Sequence, residues 1–101
     1  MADGPFPWSD HPVRQMSSTP AEFQRALNLV FGDAVSEASG GLLLVEGGVR
    51  LHFALQSEKA LKIGALQLAS LRVEISVLEG DAAAAKQLVS RVDRATQRGG
   101  G

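Results

Sequence analysis

Leu42-Leu43-Leu44-Val45-Glu46-Gly47-Gly48-Val49-Arg50-Leu51-His52-Phe53-Ala54-Leu55 is the stretch that decides the fold. Two apolar runs flank a Gly-Gly pair. A type I′ turn needs φ > 0 at both central positions, and glycine reaches that region without a steric penalty. The stretch therefore predicts a tight antiparallel hairpin. A two-residue turn sets Glu46 opposite Val49, Leu44 opposite Leu51 and Leu42 opposite Phe53. Side chains alternate along a strand, so Leu42, Leu44, Val49, Leu51, Phe53 and Leu55 share one face. Leu43, Val45, Arg50, His52 and Ala54 share the other. The first strand is thus apolar on both sides. A sheet with one face in water should read polar there, and Leu43 and Val45 break that pattern.

On the C-terminal side, Gln56-Ser57-Glu58-Lys59 reads as a polar turn and Ala60 to Ile63 as a short strand interrupted at Gly64. Leu66 and Leu68 lead into Leu71, Val73, Ile75 and Val77, which alternate cleanly with polar partners. Either a long bulged third strand or a third and a fourth strand fits. Asp81 then caps a helix whose apolar stripe is Ala84, Ala85, Leu88, Val89, Val92 and Thr96. Arg91, Arg94 and Arg98 collect toward its C-terminal end, where cations complement the helix dipole.

On the N-terminal side, Thr19, Pro20 and Glu22 form a helix start with the makings of a capping box. Phe23, Ala26, Leu27, Val30 and Phe31 follow one helical face, and Gly32 is a natural stop. Residues 33–40 read as a frayed turn or a connection to the sheet. Residues 1–19 hold Pro5, Pro7 and Pro12 and no regular period. They read as a disordered arm with Phe6, Trp8 and Val13 as apolar anchors.

The expected architecture is α+β. It is a two-layer sandwich in the order α-β-β-β-α, an antiparallel meander of three or four strands with two helices on one face. The domain spans residues 20–98, and Gly99-Gly100-Gly101 is a flexible tail. At 101 residues this is one domain, able to bury roughly two-thirds of its unfolded surface. The element order is similar to that of the double-stranded RNA-binding domain, in order alone. That family's lysine-rich entry to the last helix is replaced here by Asp81-Ala82-Ala83-Ala84-Ala85.

Composition excludes more than it identifies. There is no cysteine, which removes disulfides, thiolate catalysis and cysteine-based metal sites. No apolar run nears the ~18 residues of a membrane span, and residues 1–19 lack the pattern of a secretory signal. A cytoplasmic location is expected. Arginine outnumbers lysine seven to three, which together with abundant alanine suggests a GC-rich bacterial source. The net charge of −1 offers little attraction to nucleic acid or membrane.

Candidate chemistry is sparse. His11 in the arm and His52 in the hairpin have no partners at catalytic or metal-ligand spacing. Glu46, Glu58, Glu74 and Glu79 form no acid/base pair. No serine sits in a Gly-x-Ser-x-Gly elbow, and neither Gly-Gly pair has the following Lys-Ser/Thr of a phosphate loop. No enzyme, cofactor or metal is expected. The sequence points to a small interaction module that forms a homodimer, with Leu43, Val45, Arg50 and His52 as the candidate interface. Weak RNA binding through Arg91, Arg94 and Arg98 is the alternative. Binding of a small ligand between sheet and helices is another.

Overall fold

A computed structural model of the chain describes residues 13–64 and 66–96. Its elements are β1 (Val13–Met16), α1 (Pro20–Phe31), a 3-10 turn (Gly32–Ala34), β2 (Val35–Ala38), β3 (Gly41–Glu46), β4 (Val49–Ile63), β5 (Leu66–Glu79) and α2 (Ala82–Thr96). The five strands form one antiparallel sheet in the order β1-β5-β4-β3-β2. The α+β class is as expected, but the strand count is five.

The β3–β4 hairpin has the expected register: Leu42 opposite Phe53, Leu44 opposite Leu51 and Glu46 opposite Val49. Gly47 and Gly48 take φ of 59° and 81°, the left-handed pair that a type I′ turn requires. Gly41, where β3 begins, is needed for a different reason. A Cβ there would overlap the carbonyl oxygen of Phe53, so only a hydrogen at this position lets the two strands approach.

Alternation then divides the sheet. Leu42, Leu44, Leu51, Phe53, Leu71, Val73 and Ile75 are buried on one side. Phe23, Leu27 and Phe31 of α1 and Ala85, Leu88, Val89 and Val92 of α2 join them in a single apolar cluster. Phe23 meets Phe53 edge-on, with centroids 5.7 Å apart and planes at 65°, the geometry favoured by the ring quadrupoles.

Both helix starts match the sequence reading. Thr19 Oγ1 accepts from the Glu22 amide at 3.1 Å, and Glu22 Oε1 accepts from the Thr19 amide at 3.1 Å. Asp81 Oδ2 accepts from the Ala84 amide at 3.2 Å. Each helix departs from its expected stripe at one position. Val30 is half exposed because α1 buries only the narrower 23-27-31 line, and on α2 Ala95, outside the expected stripe, is buried.

Four expectations are corrected. First, the meander of three or four strands gains two short edge strands, so the order is not α-β-β-β-α: β1 precedes α1, and a 3-10 turn and β2 follow it. Second, the disordered-arm boundary at residue 19 falls too late, since Val13 to Met16 pair with Glu74 to Leu71. Third, Gln56-Ser57-Glu58-Lys59 is not a turn. It belongs to the 15-residue β4, and the chain reverses at Gly64, φ 60°. Fourth, Ala60 to Ile63 is the far end of β4 rather than a separate strand, with Leu61 to Ile63 paired to Leu68 to Leu66 past a register shift at Glu58/Leu61. Polar residues mislead here because this end of the β4–β5 ribbon extends past the pairings of β3 and β1. Residues there need no alternation to stay paired with each other.

Candidate interaction face

The sheet side away from the helices is built from alternate residues of adjacent strands. Leu43 and Val45 come from β3, and Arg50, His52 and Ala54 from β4. Register sets Leu43 beside His52 and His52 beside Ser76, while Val45 lies beside Arg50 and Arg50 beside Glu79. The four candidate residues Leu43, Val45, Arg50 and His52 therefore form one contiguous block. A register shift between Arg50 and Leu51 leaves Leu78 as an extra residue on β5. A bulge of this kind interrupts the ladder and re-aims its side chains. Leu78 is 54% exposed and Val45 43% exposed, so the block carries uncovered apolar surface at two points.

The polar members are mostly satisfied from within the sheet. His52 Nε2 donates to the Ser39 carbonyl at 3.0 Å, tying mid-β4 to the β2–β3 turn. Arg50 Nε lies 3.3 Å from Glu79 Oε1, and Arg72 Nη2 lies 3.7 Å from Glu74 Oε2. These two pairs cancel in charge. Gln15 Nε2 donates to Glu58 Oε1 at 2.8 Å, which joins β1 to the base of the ribbon.

Arg14, Arg91 and Arg94 lie on the helix side. Arg14 reaches across to α2 and donates from Nε and Nη2 to the two Asp93 oxygens, at 2.9 and 3.0 Å. That hydrogen-bonded carboxylate raises the Arg14 pKa, and its charge adds to the effect; partial burial opposes both. Arg91 donates to Glu46 Oε2 at 2.6 Å and lies 5.0 Å from the centroid of the Phe31 ring. Arg94 is exposed on α2, and Arg98 lies outside the described residues, as does His11. The three-arginine ridge thus has one member already neutralised and stacked.

Two small clefts are lined by described residues. A cleft of about 210 Å³ lies over Ala54, Gln56, Arg72 and Glu74, and one of about 180 Å³ lies between Glu46, Val49, Leu88 and Arg91. Ligand pockets run to roughly 300–1,000 Å³, so neither suits more than a very small molecule. Among the described residues no three His, Asp or Glu side chains converge as metal ligands. No described helix is long and apolar enough to cross a membrane.

Sequence reasoning missed Leu78 as a member of the face. The signal was present: Val77-Leu78 places two apolar residues in succession where the alternation calls for one. It also missed Leu29, 76% exposed on α1, which falls off the helical stripe. In comparisons with known proteins, no protein-family model, no curated protein and no solved structure matches the chain.

Proposed function

We propose that this domain is a non-catalytic protein–protein interaction module that forms a homodimer through the open sheet face. One observation carries the reading: helices cover only one side of the sheet, while Leu43, Val45 and Leu78 stand uncovered or half-covered on the other. Exposed apolar area next to polar residues is the usual composition of an association surface. The charge pattern favours a second copy as the partner. Arg50 with Glu79 and Arg72 with Glu74 cancel within each copy, so the face does not repel itself. A two-fold dimer places the same patch on both subunits and needs that self-compatibility.

Light scattering across a concentration series tests the proposal. Twice the chain mass is expected at high concentration, and Val45→Glu is expected to return it to one chain mass by placing a carboxylate in the contact. A single-chain mass throughout for the parent protein would refute it. The ion pair and ring contact of Arg91 weigh against an RNA-binding ridge, and the cleft between Glu46, Val49, Leu88 and Arg91 is too small for more than a very small ligand.

A further inference from the structure

The chain enters the sheet at its edge, where Val13 lies opposite Glu74. β5 continues from there to Glu79, but Pro12 has no N–H to offer it. Pro12 is thus a natural point for the chain to turn from the ladder onto a face of the sheet. On the helix side of this edge, Arg14 bridges to Asp93 on α2 and Met16 packs against the core. The open side is the one that Val13 and Gln15 share with Glu74 and Arg72, and its Gln15–Glu58 bridge lies toward Ser70, on the other side of Val13 from Leu78.

Composition supplies the reason to dock. The chain has four phenylalanines and one tryptophan. Phe23, Phe31 and Phe53 are buried in the core, and the other two aromatic residues, Phe6 and Trp8, both fall in the segment ahead of Val13. Each can bury on the order of 150–250 Å². In extended backbone, residues two apart project to the same side, and Pro7 biases Phe6 toward that backbone.

The distances fit. Trp8 is five residues before Val13, a reach of roughly 16 Å at ~3.3 Å per residue. Leu78 lies four residues along β5 from Glu74 and one strand in, roughly 14 Å from the entry point. Phe6 is seven residues before Val13 and reaches roughly 23 Å. Val45 is three strands in from β1 and lies level with Glu79, roughly 21 Å away.

We infer that residues 1–12 fold back over the open sheet face of their own copy, with Trp8 seated near Leu78 and Phe6 near Val45. This goes beyond the homodimer reading. It concerns the single copy before association, and a second copy then gains the face only by displacing the segment.

Trp8 is the sole tryptophan, so intrinsic fluorescence of the full chain reports on it alone. The measurement is made at concentrations where light scattering gives one chain mass. Emission blue-shifted from free tryptophan and protected from acrylamide is expected. Val45→Glu with Leu78→Glu should abolish both the shift and the protection. Leu78→Ser, a milder change at the half-exposed bulge, should reduce them, and circular dichroism confirms folding. Free-tryptophan emission in the parent chain overturns the inference, as does a shift that survives these substitutions. A shift that appears only with dimer also overturns it, while leaving the homodimer intact. In the full chain, Phe6→Ser with Trp8→Ser should move dimer formation to lower concentration, and unchanged or weaker association overturns the displacement step. Absence of dimer in both chains defeats the homodimer reading, and the Trp8 signal still decides the docking.

Discussion

At Gly41 the sheet has no room for a methyl group. The Phe53 carbonyl occupies the place of the missing Cβ, and backbone cannot swing aside as a side chain can. Gly41→Ala is therefore expected to cost about 3 kcal/mol of stability, at the upper end of ordinary substitutions, as read from a urea midpoint. Arg14 and Asp93 show the opposite economy, in which two distant residues meet through a planar fork. The two-point geometry and partial burial set this pair above a typical surface ion pair. A double-mutant cycle with Arg14→Ala and Asp93→Ala should give a coupling of about 1 kcal/mol. Because folding raises the Arg14 pKa, its share of this stability is fully present at neutral and mildly alkaline pH. It is lost only as pH rises through the folded value. A coupling that fell between pH 7 and 9 would contradict the assignment.

Elements differ in how much of their cause is local. α1 begins where it does because Thr19 and Glu22 satisfy each other's amides, a signal confined to four residues. Thr19→Ala is expected to cost about 1 kcal/mol, measurable as a lower thermal midpoint with the sheet unchanged. The β3–β4 hairpin is equally local, since two glycines and the alternation beside them set its register. β1 and β2 are different. Val13-Arg14-Gln15-Met16 and Val35-Ser36-Glu37-Ala38 have no alternation long enough to read. They are strands because β5 and β3 present open edges for them to pair with, so their conformation is set by the neighbour. Their shortness and charge also suit an edge position, where a long apolar strand would invite aggregation.

For the whole molecule, the candidate face follows from the hairpin and from what the helices leave uncovered. Leu43, Val45, Arg50 and His52 were legible as one face because a period of two puts alternate residues on the same side. Their setting was not. That His52 is held by the Ser39 carbonyl, and Arg50 by Glu79, depends on a turn 13 residues away and on a bulge in another strand. Arg91 is the clearest case. On its helix it looks like one of three free cations, yet folding places it against Glu46 at the hairpin tip and over the ring of Phe31. Should self-association bury the open face, the thermal midpoint should rise with protein concentration, because a dimer that dissociates on unfolding is stabilised by mass action. Scanning calorimetry over a hundredfold concentration range checks this.

Sequence alone determined the hairpin register, both helix starts and the apolar residues of the central strands. Each of these rests on interactions within a few residues or on a strict period. Only the tertiary structure decided that the sheet has five strands, that polar residues 56–59 continue a strand, and which charges remain free on its surface. Those outcomes depend on edges and side chains that meet only after the chain has folded, between residues up to 79 positions apart.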